Sequence, residues 1–228
     1  AARAKPDFPR VEYSFYVDWD APGVNGEAGR VAIVPRARGS PLDKLVAELM
    51  IHVNATWGRT LADAGMAGLY RIQSNGKVRF ATRPAEHQGL GVSHYLWASS
   101  PLRRYSDLVN QRQLLACVRG ERAPYDERDP ELFAILTDFE ATYAQYGEFQ
   151  DRMERYWCLR ALLQGDVAET TARVVRESLV RFERLPLTVR LADLPGLAPD
   201  TVVRVAVGAI DLLAETVECR YAGKTGSG

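Results

Sequence analysis

Hydrophobic and polar residues alternate along this chain with two periods, and the changes of period mark out its elements. Val11-Glu-Tyr-Ser-Phe-Tyr-Val17 alternates with period two and is rich in β-formers, so it reads as a strand. A turn region with three glycines and a proline spans Asp18 to Gly29, and Arg30-Val-Ala-Ile-Val34 reads as the returning strand. Residues 1–9, with two prolines, read as irregular. From Ser40 the period becomes helical. Ser40-Pro-Leu-Asp43 supplies an N-cap, a proline at the first helical position and an acid in the first turn. Leu42, Leu45, Val46, Leu49, Val53 and Trp57 then mark one apolar face, expected to be core, with His52 beside it as a partly buried structural residue. A short strand at Leu69-Tyr-Arg-Ile72 leads into a Ser74-Asn-Gly76 turn.

The next helix is predicted to start at Pro101, with Ser99 or Ser100 as N-cap and Leu102, Leu108, Val109, Leu115 and Ala116 near a helical period. After a polar linker from Gly120 to Pro130, a long helix is expected from about Glu131 to Gln164. Its stripe of Leu132, Leu136, Phe139, Tyr146, Met153, Trp157 and Ala161 reads as core packing rather than base stacking, and Gly147 is where it would bend. Beyond Gly165-Asp166 the period returns to two. Strand candidates at 171–175, 179–182, 187–191, 202–207 and 216–221 suggest a small five-stranded barrel of OB type. Arg173, Arg181, Arg190 and Arg204 alternate with apolar residues there, giving either a basic face or an ordinary outward polar alternation.

Composition narrows the classes. The 228 residues allow one large domain or two modest ones, and 46% hydrophobic with 25% charged residues suits a soluble globular fold. Lys+Arg and Asp+Glu balance at 29 each, so any nucleic-acid surface must be local. Cys117, Cys158 and Cys219 are widely spaced and form no metal pattern; an odd count suits a reducing cytosol, and each reads as a small buried apolar group. His52, His87 and His94 suggest neither a zinc site nor a triad. No apolar run reaches membrane-spanning length and no signal-peptide core is present, so a cytoplasmic location without membrane partners is expected.

One stretch carries chemistry. Arg103 and Arg104 fall in the first turn of the predicted helix, where the helix dipole disfavours cations. Helix stability does not account for them. Solvent or Asp107 would, and so would an anion, since helix-start N–H groups and a guanidinium fork both suit phosphate.

The whole string Ser99-Ser-Pro-Leu-Arg-Arg-Tyr-Ser-Asp107 closely resembles the signature of the ribonuclease II (RNB) family, and Gly89-Leu-Gly-Val-Ser-His-Tyr-Leu-Trp97 resembles that family's approach to it. The helix bearing Glu48, Met50 and Asn54 and the strands before it are also similar to family segments. Only residues 71–88 separate Tyr70 from Gly89, where longer members carry a helical insert. The resemblance implies an α+β fold: the C-terminal part of an RNB catalytic domain (mixed sheet with long helices) over residues 1–165, then an OB-type RNA-binding barrel over 166–228. It implies a processive, hydrolytic 3′→5′ exoribonuclease, monomeric, degrading single-stranded RNA to nucleoside 5′-monophosphates.

By the same resemblance Arg103 is the catalytic residue, holding the scissile phosphate. Arg104, Tyr105 and Asp107 support it, by contacts behind it or at nearby backbone phosphates. Glu154, in Arg152-Met-Glu-Arg155, would contact the terminal sugar, with Asp151 as the alternative register, and Phe8 is a candidate base clamp. The family's Mg²⁺ is held by an Asp-x-x-x-x-x-Asp-x-Asp-Asp run, which this sequence lacks; Asp18 and Asp20 form the closest pair and read as a solvated turn. The metal ligands are therefore expected in an upstream segment of the same enzyme. The competing readings are a non-catalytic RNA-binding descendant of the family and a structural module without RNA.

Overall fold

The computed structural model describes residues 11–37 and 39–225; the segment 1–9 read as irregular lies outside them. The described chain packs as two compact units. Gly39–Tyr146 form the first. The N-terminal hairpin and the chain from Gly147 onward form the second, so the long helix contributes to both.

In the second unit, β1 (Val11–Pro22) and β2 (Ala28–Ala37) pair antiparallel, from Val11↔Ala37 to Asp18↔Arg30. The C-terminal part of α3 (Pro130–Gln164) holds this hairpin by its turn. The buried Arg160 guanidinium donates to the Ala28 carbonyl at 2.6 Å, the Gly29 carbonyl at 3.1 Å, the Glu27 carboxylate at 2.8 Å and the Tyr156 hydroxyl at 2.9 Å. Five strands follow: β5 (Glu169–Arg176), β6 (Leu179–Phe182), β7 (Thr188–Arg190), β8 (Val202–Asp211) and β9 (Thr216–Lys224). They pair antiparallel in the order β7-β6-β5-β8-β9. That is the strand order of an OB barrel opened between its third and fifth strands. Period-two alternation buries Ala172, Val174, Val180, Phe182, Val203 and Val205 on Cys158, Leu159 and Leu162 of α3. The expected α+β class and five-stranded OB-type element are both present. The strands begin close to the sequence boundary after residue 165, while the hairpin and the end of α3 pack with them.

In the first unit, Ser40 caps α1 (Pro41–Asp63) reciprocally with Asp43, as expected. The expected core face holds only toward its C-terminal end, where Val53 and Trp57 are partly buried and Trp57 packs against the core. Leu42, Leu45, Val46 and Leu49 are more than half exposed, and the buried row is Ile51, Asn54, Gly58 and Leu61. The core clusters begin at Ile51, so the first two turns of α1 extend past them. His52, one residue (about 100° of helix) on from Ile51, is exposed rather than partly buried. Gly58 admits close packing, since a Cβ there would lie 3.3 Å from the His94 carbonyl carbon. β3 (Tyr70–Ser74) and β4 (Lys77–Ala81) form a hairpin closed by Asn75-Gly76, both at positive φ as a two-residue turn of this kind requires. The segment leading to Trp97 lies along β3, with Tyr70 bridged to Leu96 and the Arg71 N–H donating to the Tyr95 carbonyl at 2.8 Å.

α2 spans Tyr105–Arg119, so the predicted start at Pro101 is too early. The Ser100 carbonyl accepts from both the Arg103 and Arg104 N–H groups in a separate turn, and Arg104 is an extended N-cap that interrupts the helical run. Its buried face also differs from the apolar row expected. Leu102, at 103% exposure, and Leu115 face solvent, while Ser106, Asp107, Asn110 and Gln113 are buried with Val109 and Ala116. These polar side chains serve backbone groups of irregular segments. Asn110 accepts from the Leu69 N–H at 2.7 Å and donates to the Leu69 and Trp97 carbonyls. Gln113 bonds the Ala67 carbonyl and both backbone groups of Tyr125.

α3 runs unbroken through Gly147. Its predicted continuous stripe is interrupted. Leu132, Leu136 and Phe139 pack in the first unit, but residues 141–152 are exposed, Tyr146 to 71%. No helix among the described residues is long and apolar enough to cross a membrane.

Asn110→Ala leaves one N–H and two carbonyls in the core without partners. At about 1–3 kcal/mol for each buried group left unsatisfied, the variant should lose several kcal/mol. Urea unfolding followed by tryptophan fluorescence measures this, and a loss below about 1 kcal/mol would mean that water replaces the amide.

Candidate nucleic-acid interface

The signature forms a turn held from behind by one carboxylate. Asp107, fully buried in the first turn of α2, accepts from the Ser100 N–H at 2.7 Å, the Arg104 guanidinium at 2.8 Å and the Ser106 hydroxyl at 3.2 Å. An acid near a helix start is favoured by the dipole, and here it also neutralises Arg104. All its acceptor capacity is directed into the protein, which places Asp107 as the support of the turn. Arg103 differs. It is exposed, its only side-chain bond is to the Ser100 hydroxyl at 3.4 Å, and no carboxylate pairs with it among the described residues. Tyr105 is also exposed.

Arg104 lies over a buried indole, its guanidinium carbon 4.2 Å from the Trp97 ring centroid. Arg71 of β3, which the sequence did not single out, lies 4.4 Å from the same centroid. Trp97 is 7% exposed and meets Phe80 and Tyr143 edge-on. Burial and the like charge of Arg104 lower the Arg71 pKa, although Tyr143 and Tyr95 oppose the shift. His87 is 4% exposed, neither ring nitrogen has a partner, and burial with the nearby Arg71 charge pushes its pKa down. For Arg71 itself the one sequence signal is its interruption of an apolar strand.

The other predicted residues fall elsewhere. Glu154 belongs to the second unit, half-buried on α3 and accepting from Gln150 at 2.9 Å, with Asp151 exposed beside it. Phe8 lies outside the described residues. On the sheet, Arg173, Arg181, Arg190 and Arg204 all face outward. Arg173 pairs with Glu183 and Arg204 with Glu169, whereas Arg181 and Arg190 have no carboxylate partner among the described residues. Thus the face is only partly compensated. A cleft of about 360 Å³ beside α1, lined by Glu48, His52, Arg59 and Val92, holds none of the predicted residues.

The Mg²⁺ implied by the resemblance finds no ligand set here. Among the described residues no three His, Cys, Asp or Glu side chains converge to hold a metal ion. Asp18 accepts from the Asp20 N–H in the first hairpin.

A family model described as RNB domain matches residues 74–120, which includes β4, the signature turn and α2. Over that stretch the chain is similar to the RNB family. Curated relatives include Exoribonuclease 2 of Salmonella paratyphi B, 30% identical over 128 residues, and the 3′-5′ exoribonuclease HELZ2 of Mus musculus, 39% identical over 70 residues. These alignments cover 56% and 31% of this chain but 18% and 2% of the relatives, so the chain spans a small part of their length. Solved structures share the fold. An active-site mutant of the Dss1 exoribonuclease from Candida glabrata matches 84% of this chain and 30% of its own, with TM-score 0.72 and 18% identity. Mycoplasma genitalium RNase R, in complex with ribose-methylated single-stranded RNA, matches 95% of this chain and 46% of its own, with TM-score 0.72 and 14% identity.

The turn at Ser100–Asp107 should depend on its buried acid. Asp107→Ala removes the acceptor of the Ser100 N–H and the charge partner of Arg104, at a cost of about 1–3 kcal/mol per group left unpaired. Asp107→Asn keeps an acceptor and should cost less. Denaturation midpoints of the two variants provide the comparison, and equal losses would show that the charge is what matters.

Proposed function

We propose that this chain is part of a processive hydrolytic 3′→5′ exoribonuclease that degrades single-stranded RNA to nucleoside 5′-monophosphates. The observation that carries the reading is the RNB match over a turn that leaves Arg103 as an unpaired, exposed guanidinium. In this reading Arg103 holds the scissile phosphate. Negative charge redistributes there in the transition state, and a preplaced guanidinium stabilises that state preferentially. Arg104 and Asp107 hold the turn, and Tyr105 lies on its exposed side. The outward arginines of the OB-type sheet, Arg181 and Arg190 foremost, bind backbone phosphates of the incoming strand. Mg²⁺ would be held by aspartates of a further segment of the same enzyme and would supply an activated water. The enzyme works as a cytoplasmic monomer.

The lack of a convergent carboxylate cluster among the described residues favours a second reading, an RNA-binding protein of the family without catalysis. The two separate on one assay. A protein that includes this chain and its flanking segments is given 5′-labelled RNA with and without Mg²⁺, and products are resolved by length. Stepwise shortening from the 3′ end with release of 5′-monophosphates supports the nuclease. RNA retention without shortening supports the second reading. Cleavage by residues 1–228 alone would place the metal ligands among their own carboxylates.

In the active protein, Arg103→Ala should lower the single-turnover rate roughly 10²–10³-fold, the usual cost of one transition-state donor. Binding without metal should change little, because many phosphate contacts share it. Arg103→Lys should recover little, since one ammonium does not reproduce the fork. A loss wholly in binding would make Arg103 a positioning residue.

Glu154→Ala should narrow the preference for RNA over DNA 3′ ends, because in this reading its carboxylate accepts from a terminal 2′-hydroxyl. Matched RNA and DNA-ended oligonucleotides measure the preference. If Asp151→Ala narrows it instead, the register is shifted by three residues.

A further inference from the structure

Two guanidiniums share the Trp97 ring, and only one has a counter-charge. Arg104 gives one terminal nitrogen to Asp107. Arg71 makes no ion pair or side-chain hydrogen bond among the described residues, and both its terminal nitrogens reach solvent while Nε is buried without a partner. Arg104 Nε is likewise buried and unpartnered, and its second terminal nitrogen is open. A cation–π contact offsets part of the cost of holding a cation there, about 0.5–2 kcal/mol, but cancels no charge. Arg71, Arg104 and Asp107 together leave one positive charge in excess. His87 does not add to it, because burial and Arg71 disfavour its protonated form. The neighbouring rings Tyr95, Phe80 and Tyr143 bring no acid.

We propose that Arg71 and Arg104, braced on Trp97, form a second phosphate site that takes a backbone phosphodiester of single-stranded RNA. Three open terminal N–H-bearing nitrogens, two from Arg71 and one from Arg104, suit the oxygens of one phosphate. The indole is not a base-stacking platform: it is nearly buried and carries a guanidinium from each arginine. Arg71 stands on β3, whose pairing with Tyr95–Leu96 fixes it relative to the signature segment. The site is therefore preformed, and binding an anion relieves the repulsion between the two cations. This rests on the RNA reading above and adds to it a contact distinct from Arg103.

Two arms test it on the same protein. In the first, inorganic phosphate is titrated at constant ionic strength while tryptophan fluorescence is followed. A saturable change is expected in the parent and not in Arg71→Gln or Trp97→Phe. No change in the parent, or the same change in Arg71→Gln, overturns the site. In the second, affinity for an oligoriboadenylate is measured against KCl concentration. Loss of one contact to a single strand should reduce the slope of log affinity against log salt by about 0.7 in Arg71→Gln, and Arg71→Lys should restore it. An unchanged slope, even in a less stable variant, makes Arg71 structural and overturns the proposal. A saturable phosphate response in a protein that binds no oligoribonucleotide overturns the RNA reading itself, and with it the assignment of the ligand as RNA.

Discussion

The first unit depends on a helix whose buried face is polar. Asp107, Asn110 and Gln113 project from α2 at successive turns, and each occupies backbone groups of a segment outside the named strands. Segment 67–69, the approach through Trp97 and Ser100, and the Tyr125 loop all end on these three side chains. Buried N–H and C=O groups cost free energy unless paired, so irregular backbone can lie inside a fold only where something serves it. α2 does this with side chains, whereas apolar residues in the same positions would bury as much surface and leave the segments without partners. The turn that presents Arg103 is thus a consequence of where the amides and the carboxylate of α2 sit.

The same economy of charge sets apart the two adjacent arginines. Their neighbourhood holds one buried carboxylate. Asp107 reaches Arg104, which lies inward over Trp97, and Arg103 turns outward with only the weak Ser100 hydroxyl contact. Adjacent residues of one type therefore receive different tasks from a single acid. An extra acid beside Arg103 would stabilise the free protein and compete with any phosphate for the guanidinium. Its absence among the described residues costs stability locally and keeps a preorganised donor available, which is the arrangement expected of a binding or catalytic cation.

Much of this was legible in the sequence where the pattern reports local physics. Ser40-Pro-Leu-Asp43 capped a helix as read, the Asn75-Gly76 turn closed a two-residue hairpin, and all five strands after Asp166 appear close to their predicted positions. The signature string was legible as well, and the RNB match covers it. The failures share a cause. Apolar periodicity marks a face able to pack but not whether anything packs there, so the first two turns of α1 and the middle of α3 read as core and are exposed. It is also blind to a buried polar face, which is why Val109 and Ala116 of α2 are found and Asn110 and Gln113 are missed. The helix start failed because the spacing from Ser100 to Asp107 suits either a helix begun at Pro101 or a turn capped from within the helix. The extended backbone of Arg104 selects the second.

Arg71 was invisible for a different reason. One arginine in a short strand reads as an outward polar position, and nothing local ties it to a residue 26 positions along. The tie comes from pairing: the Tyr70↔Leu96 bridge aligns β3 with the run into the signature, so Arg71 and Arg104 meet the same ring from segments distant in sequence. Two like charges held near one buried ring are unfavourable by Coulomb repulsion and by desolvation. A fold tolerates such a pair readily only when an anion joins it for part of its working cycle, or when surrounding contacts outweigh the repulsion. The second explanation requires partners for the guanidinium nitrogens. Arg104 has one, and Arg71 has none among the described residues. The imbalance is greatest at Arg71, and that makes this strand residue the one whose surroundings the proposed anion would change most.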